Sequence, residues 1–212
     1  MGSEARDKAF WERIAPRYDR AAQGVFGRPL PRVLALAAEG AAGAHAVLEV
    51  AAGTGLFTAA VAPRVQHVVA TDYTDGMLAV LRRRVADDRL TNVAVASADL
   101  YALPYPPATF DVVVAANVLH LVPDLPRALA SLCRVLRPGG TLVAPTYCHG
   151  ETLRSALVSR VLTTVIRQPV RHRFTTRSLR AALEEAGLRV RRAETVPGLI
   201  PVAYVEAVPG LR

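Results

Sequence analysis

The sequence predicts an α/β fold with a doubly wound, mostly parallel β-sheet, and two observations support this prediction. Between residues 46 and 147, short apolar runs typical of buried strands alternate with segments of helical periodicity. Near the C-terminus, the runs LRVRRAETV and GLIPVAYVEAV lie too close together for a helical crossover, so we expect an antiparallel hairpin. The sheet should therefore be parallel in its first part and antiparallel at its end.

The elements follow in order along the chain. The first twenty residues should form an amphipathic helix, because apolar side chains recur there at helical spacing: Phe10, Trp11, Ile14 and Tyr18. A second helix around residues 32–39 should end at Gly40. The predicted parallel strands are AVLEV, HVVATD, NVAVASAD, FDVVVAANV and GTLVAPTY. The remaining predicted helices start at Leu56 or span residues 75–85, 124–136, 151–166 and 175–186, and the run RPGG at 137–140 should stop the helix before it.

Composition narrows the class of protein. With 212 residues, 51% of them hydrophobic, the chain is long enough for one compact domain. It shows neither a signal-peptide core nor an apolar run of membrane-spanning length, so we expect a soluble, cytoplasmic protein without a transmembrane segment. Cys133 and Cys148 lack metal-binding spacing and should be buried apolar residues, so no metal site is predicted. The net charge of +8 comes from dispersed arginines, which does not favour a nucleic-acid partner.

The stretch LEVAAGTGLF, residues 48–57, is typical of a strand, a glycine turn and a helix that hold a nucleotide. Asp72, at the end of the second strand, could reach ribose hydroxyls, which would equally suit a nicotinamide dinucleotide. However, Thr58 stands where the dinucleotide fingerprint has its third glycine, and Glu49 would repel a pyrophosphate. Asp99 could accept a hydrogen bond from an adenine amine. Together these residues favour an adenosine that carries a cationic 5′ substituent.

Five stretches in family-like order carry a resemblance: LEVAAGTG, TDYTDGML, ADLYALPYPPATFD, ANVLHLVPD and LRPGGTL. With them, residues 47–147 resemble the class I S-adenosylmethionine-dependent methyltransferases, especially the subgroup similar to the ubiquinone/menaquinone-biosynthesis methyltransferases. The resemblance implies a Rossmann-like sheet of seven strands with an antiparallel C-terminal strand. It implies methyl transfer by in-line displacement, with S-adenosyl-L-methionine as cofactor and S-adenosyl-L-homocysteine as product. It also implies a helical lid over residues 1–43, a cofactor-binding core over 44–150, and acceptor-side helices and a hairpin over 151–212.

The resemblance also assigns roles to individual residues. Ala51, Gly53 and Gly55 would present backbone to the methionine part of the cofactor, Asp72 would bind the ribose and Asp99 the adenine amine. The adenine ring would lie between Tyr73 and Met77 on one side and Leu100 on the other, although Met77 and Leu100 could equally be core residues. The remaining predicted cofactor-binding residues are Tyr18, Glu49 and Asn117. The family often has glycine where this chain has Ala51, and the methyl group is tolerable if that residue keeps an extended backbone.

The methyl acceptor is less defined. His120 and His149 are the candidate catalytic residues, as a base or to orient the acceptor, but either could instead be a hydrogen-bonded wall histidine. No motif for base-amine methylation is present, so we expect a small or lipid-like acceptor. A helix near residues 155–166 could line an acceptor pocket, lie on an anionic membrane or pack on the sheet, since its apolar residues are flanked by arginines: Leu157, Val158, Val161, Leu162, Val165 and Ile166, with Arg154, Arg160 and Arg167. An RNA or phospholipid methyltransferase and a non-catalytic binding domain are the alternatives, and the oligomeric state is not predicted.

Overall fold

The computed structural model describes residues 3–20, 27–166 and 169–210. The strands are β1 (Ala46–Glu49), β2 (His67–Asp72), β3 (Val93–Ser97), β4 (Phe110–Val114), β5 (Leu136–Val143), β6 (Thr146–Tyr147), β7 (Leu188–Val196) and β8 (Val202–Pro209). The helices are α1 (Ser3–Ile14), α2 (Leu30–Ala41), α3 (Leu56–Val61), α4 (Asp75–Asp87), α5 (Leu125–Val135), α6 (Leu153–Ile166) and α7 (Thr176–Glu185). Short 3₁₀ turns follow α1 and α3, at Ala15–Arg17 and Ala62–Arg64.

All strands belong to one sheet with helices on both faces. The strand order is β3-β2-β1-β4-β5-β8, and the five strands at its start pair in parallel. β8 runs antiparallel to β5 and to β7, as the predicted hairpin requires. One face is covered by leucines of α5 and α7, and the other by apolar residues of α2, α3 and α4. The predicted doubly wound, mostly parallel sheet is confirmed.

The count of eight strands, rather than seven, has a local cause. The predicted strand GTLVAPTY is divided into β5 and β6, and both segments pair with β8. The register continues across the division, since Leu142 lies opposite Ala207 and Thr146 opposite Ala203. Pro145 has no N–H to donate to the ladder, so the regular pairing stops there. β5 and β6 are therefore one interrupted strand, and the topology is that of a seven-stranded sheet.

One predicted boundary is wrong, because Gly40 does not end α2, which continues to Ala41. The helix before the run RPGG does stop ahead of it, at Val135, and the run itself falls within β5. In α2 the absence of a side chain at Gly40 has a packing reason: a Cβ there would lie 2.3 Å from the Oη of Tyr204. Tyr204 is fully buried, and its Oη lies 2.8 Å from the carbonyl of Leu36. Gly40 thus lets α2 approach β8 closely.

The strand order places the functional edge of the sheet. β1 pairs with β2 on one side and with β4 on the other, so the order reverses between β1 and β4. In open α/β sheets, ligands bind beyond the carboxyl ends of the strands at this point. Among the described residues, no helix has the length and apolar character needed to cross a bilayer.

Replacing Gly40 with alanine tests the contact between α2 and β8. In an ordinary helix this change stabilises by up to about 1 kcal/mol. Here we expect Gly40→Ala to lower the free energy of unfolding by about 1–3 kcal/mol, because the new methyl group collides with the Tyr204 hydroxyl. In a Tyr204→Phe background, which lacks that hydroxyl, the penalty should shrink or reverse. Urea denaturation of the four proteins in this cycle measures the coupling, and a stabilising Gly40→Ala in the parent chain would refute the contact.

Candidate active site

A cavity of about 540 Å³ opens at the carboxyl ends of β1, β2 and β4. Ten of the eleven residues predicted to bind the cofactor line it: Tyr18, Glu49, Ala51, Gly53, Asp72, Tyr73, Met77, Asp99, Leu100 and Asn117. The exception is Gly55, which is the N-cap residue of α3. The glycine turn, the loop after β3 and the end of β4 thus meet in one space, as parallel strands of this order require.

Glu49 ends β1 and is 2% exposed, although it carries an ionisable group. Its Oε2 accepts a 2.5 Å hydrogen bond from the hydroxyl of Thr58, while its Oε1 is buried without a partner among the residues that the structure describes. Burial, assisted by the charge of Asp72 and opposed by the Thr58 hydrogen bond, raises the pKa of Glu49 to about 8. The wall of the cavity therefore contains a carboxyl group that is protonated at neutral pH and that a nearby cation would ionise.

Asp72 ends β2 and ties the turn between β1 and α3 to the start of α4. Its Oδ2 accepts from the backbone N–H of Gly53 at 2.9 Å, and its Oδ1 accepts from the N–H and the hydroxyl of Thr74 at 2.9 and 2.8 Å. Burial raises the pKa of Asp72, although these hydrogen bonds to the carboxylate oppose the rise. The carboxylate is thus held in a fixed position on the cavity wall.

The two glycines of the turn serve different purposes. Gly53 has φ +58° and faces open space, since the atom nearest to a Cβ added at this position would be the sulfur of Met77, at 3.9 Å. Gly55 has φ +83°, but a Cβ there would lie 2.5 Å from Leu81 and 3.1 Å from Arg84. Gly55 therefore allows α4 to pack closely against the turn, and it does not line the cavity.

Ala51 does not have the extended backbone that we expected to make its methyl group tolerable at this position. Its φ is +49°, in the left-handed region where a Cβ crowds the following carbonyl and costs about 1–2 kcal/mol. Asn117, after β4, is also left-handed with φ +52°, and its N–H donates to Pro145 O at 2.7 Å. The Oδ1 of Asn117 is buried at the cavity wall, and no partner for it lies in the described part of the chain. The two strand ends at the reversal point are thus both held in uncommon conformations.

Asp99 and its neighbours form the wall beyond β3. The Oδ1 of Asp99 accepts from the N–H of Tyr101 at 2.8 Å, so the side chain acts as a turn acid and also lines the cavity. Arg127, from α5, lies over the ring of Tyr101 with 5.1 Å between its guanidinium carbon and the ring centroid. Both Tyr101 and Arg127 line the cavity, and neither was predicted, because nothing in the sequence places α5 beside this loop.

The N-terminal segment packs over the cavity through carboxylates. Glu12 accepts hydrogen bonds from the N–H groups of Asp75 and Gly76 at the start of α4, at 2.8 and 2.6 Å. Asp19 forms an ion pair with Arg84 and accepts from the hydroxyl of Thr54 in the glycine turn. These contacts bring Trp11 and Tyr18 to the cavity. The sequence indicated the apolar side of this helix but not the contacts of Glu12 and Asp19.

Neither predicted catalytic histidine lines the cavity. His120 and His149 are each 1% exposed, and their ring centroids are 5.0 Å apart. Tyr147 lies in the cavity wall, and the His120 ring packs edge-on against it with centroids 5.9 Å apart. Burial lowers the pKa of His120 well below its usual value and that of His149 to about 4. Both rings are therefore neutral at pH 7 and stand behind Tyr147.

The buried histidines leave ring nitrogens without protein partners. The Nδ1 of His149 is 2.6 Å from the hydroxyl of Ser159, but its Nε2 has no partner among the described residues, and neither nitrogen of His120 has one. An unsatisfied buried nitrogen costs about 1–3 kcal/mol. The space behind Tyr147 is thus polar, although the cavity does not reach it.

Known proteins share both the sequence and the shape of this region. Residues 48–144 match the family model of the methyltransferase domain. A demethylmenaquinone methyltransferase of Clavibacter sepedonicus is 38% identical over 155 residues, which are 72% of this chain and 61% of that relative. The chain thus spans less than two thirds of that relative's length.

Two solved structures show the same fold. A methyltransferase of Thermotoga maritima, described as a possible histamine N-methyltransferase, superposes with a TM-score of 0.73 at 19% identity, over 94% of this chain and 98% of that one. The N-methyltransferase NodS of Bradyrhizobium japonicum, in complex with S-adenosyl-L-homocysteine, gives a TM-score of 0.66 at 19% identity, over 85% of each chain.

The backbone of Ala51 can be tested by replacement with glycine. We expect Ala51→Gly to raise the free energy of unfolding by about 0.5–1 kcal/mol, because the relief at φ +49° exceeds the entropy that glycine adds to the unfolded chain. Ala52→Gly is the matched control, since Ala52 also lines the cavity but lies outside the left-handed region, and it should destabilise. Thermal and urea unfolding report both values. Equal destabilisation by the two changes would rule out the strain at Ala51.

Proposed function

We propose that this chain transfers the methyl group of S-adenosyl-L-methionine to a small lipophilic acceptor, because residues 48–144 match the family model of the methyltransferase domain. The observation that carries the cofactor assignment is the buried carboxyl group of Glu49, whose Oε1 has no partner among the described residues. Four further acidic residues line the same cavity: Asp7, Asp72, Asp99 and Asp124. Acidic residues outnumber Arg127 in the lining, and a bound cation would ionise Glu49, so the cavity suits a cationic nucleoside better than a pyrophosphate.

The residues present fit this cofactor. Asp72 would accept from the ribose hydroxyls, because a carboxylate has lone pairs beyond those that Gly53 and Thr74 use. The free oxygen of Asp99 would accept from the adenine amine, and the open backbone at Gly53 would admit the amino-acid part. When bound, S-adenosyl-L-methionine supplies an electrophilic methyl group on a cationic sulfur. The role of the protein is then to hold the acceptor in line and to exclude water.

The N-terminal segment supplies the means to exclude water. Asp19 joins this segment both to Arg84 of α4 and to Thr54 in the glycine turn, so the cover of the cavity is anchored to the cofactor loop itself. Trp11 and Tyr18 stand on the inner side of the cover. Burial raises the pKa of Tyr18 to about 12, so its phenol stays neutral and can donate a hydrogen bond into the site.

The remaining wall favours a lipophilic acceptor. Beyond the acidic residues, the cavity is lined by apolar side chains: Leu30, Val118, Leu121, Val122 and Pro169. The name of the Clavibacter relative specifies demethylmenaquinone, a quinone with the same apolar character. We propose a compound of this class in its reduced, hydroquinone form, whose electron-rich aromatic ring would attack the methyl carbon as the bond to sulfur breaks and would then lose a ring proton.

His120 and His149 remain candidates for positioning the acceptor. Their lowered pKa values keep both rings neutral, so each can accept or donate one hydrogen bond without carrying charge. Their contact with the cavity passes through Tyr147, whose pKa burial raises well above its usual value. A role in catalysis therefore requires that the acceptor reach past Tyr147 or that Tyr147 relay the effect of the histidines.

Calorimetry with S-adenosyl-L-homocysteine tests the cofactor site without an acceptor. We expect binding by the parent chain and a loss of affinity of about tenfold or more in Asp72→Asn, because the amide removes the charge that the ribose hydroxyls contact. Asp75→Asn is the matched control, since Asp75 is exposed, three residues away and outside the cavity. Its affinity should equal that of the parent.

Turnover completes this test. Incubation with S-adenosyl-L-methionine and a short-chain demethylmenaquinone that dithionite has reduced to the hydroquinone should release S-adenosyl-L-homocysteine, and Asp72→Asn should lower the rate at subsaturating cofactor. Tight NAD binding with no response to either sulfur nucleotide would contradict the cofactor assignment. Normal cofactor binding with no turnover of any lipophilic aromatic acceptor would contradict the acceptor class.

A further inference from the structure

Helix α6 has its apolar and polar sides reversed relative to a helix that packs on a core. Leu153, Leu157 and Val161 follow one another at four-residue intervals and are 93%, 66% and 56% exposed. Four-residue spacing places them in one stripe along the helix. Large apolar side chains scattered singly on a surface are ordinary, but three in one stripe mark a surface that contacts something apolar.

The opposite side of α6 is polar and buried. Ser155, Ser159 and Thr163 also recur every four residues, and they are 3%, 0% and 6% exposed. Arg173 donates to the hydroxyls of Ser159 and Thr163 at 2.8 and 3.2 Å, and Ser159 also contacts His149. These hydrogen bonds fix which side of α6 faces inward. The exposed stripe is therefore imposed by the packing of α6, and a rotation that hid its leucines would break this network.

Arginines flank the exposed stripe. At 3.6 residues per turn, Arg154 and Arg160 lie about 60° to either side of Leu157 around the helix axis. Both are exposed, and the sequence of α6, LRSALVSRVLTTVI, contains no acidic residue. Of the predicted apolar set, Leu162 packs against the core, while Leu157 and Val161 do not. The side chains of Val165 and Ile166, together with Arg167, lie outside the described residues.

We propose that the α6 surface, formed by Leu153, Leu157 and Val161 with Arg154 and Arg160, docks on an anionic lipid bilayer. The three apolar side chains enter the boundary between headgroups and acyl chains, and the two guanidinium groups pair with lipid phosphates. The net charge of +8 also attracts the whole protein to an anionic bilayer over a greater distance.

Charge also argues against a second copy of the chain as the occupant. In a two-fold dimer the same patch faces itself, so the arginines that flank one stripe would approach those of the other without an acidic partner on α6. A bilayer with anionic headgroups supplies the missing negative charge. The bilayer thus offers acyl chains to the apolar stripe and anionic phosphates to the flanking arginines.

The α6 surface lies close to the proposed acceptor end of the cavity. The inward side of α6 contacts His149, which is adjacent in the fold to Tyr147, and Tyr147 lines the cavity. Pro169, shortly after α6, also lines it. Docking would therefore bring a membrane-dissolved acceptor near the site, a consequence that rests on the proposed function, whereas the docking itself does not.

Flotation of the full chain with vesicles tests the docking. Vesicles of phosphatidylcholine with about 30% phosphatidylglycerol should carry the parent chain, and pure phosphatidylcholine vesicles should carry about tenfold less. The triple variant Leu153→Gln, Leu157→Gln, Val161→Gln should bind the anionic vesicles at least tenfold more weakly. Because the three side chains are exposed, its melting temperature and its affinity for S-adenosyl-L-homocysteine should equal those of the parent.

A charge-matched pair of variants separates the α6 surface from general attraction. Arg154→Gln with Arg160→Gln should weaken vesicle binding about tenfold or more, while Arg82→Gln with Arg83→Gln, exposed on α4, should change it less than twofold. Equal effects of the two pairs, or unchanged binding by the triple variant, would overturn the proposal. The proposal would also be overturned if the parent chain failed to bind vesicles and light scattering showed that it is a dimer which the triple variant dissociates. If the parent chain floated with anionic vesicles but did not bind S-adenosyl-L-homocysteine, the proposed function would be contradicted and the membrane docking would not.

Discussion

Two carboxyl groups, Glu49 and Asp72, are buried at the carboxyl ends of neighbouring parallel strands. The surrounding residues compensate the free energy of burying them. Removing such groups from water is unfavourable unless hydrogen bonds or an opposite charge compensate. Asp72 receives three hydrogen bonds, whereas Glu49 receives one and keeps an oxygen without a partner among the described residues. The carboxyl group of Glu49 is thus only partly compensated, and a bound cation would complement its ionised form.

The supports of this acidic pair extend through the whole functional edge. Asp72 holds Gly53, the next residue Thr54 contacts Asp19 of the N-terminal segment, and Asp19 pairs with Arg84. Gly55 lets α4, which carries Arg84, approach the turn. The N-terminal cover, the glycine turn and Asp72 are therefore linked by a chain of contacts. A substitution that displaces one of them should also displace the others.

Local sequence patterns predicted the elements and ten of the residues in the cavity wall, because strand ends in a parallel sheet converge at one edge. They failed where the deciding contact is distant in sequence. Gly40 looked like a helix end, but it faces Tyr204. His120 is buried where its ring packs against Tyr147 and His149. For α6, periodicity located an apolar stripe but could not tell which side faces the sheet; hydrogen bonds from Arg173 and to His149 decide that.

The response of Glu49 to a cation is the most direct measure of the proposed site. At pH 6.5 a carboxyl group with a pKa of about 8 is protonated, and a bound cation should lower that pKa. Calorimetry of S-adenosyl-L-methionine binding in two buffers of different ionisation enthalpy should therefore show release of about one proton by the parent chain and almost none by Glu49→Gln. Equal proton release by both proteins, or none by the parent, would contradict a cation-binding role for Glu49.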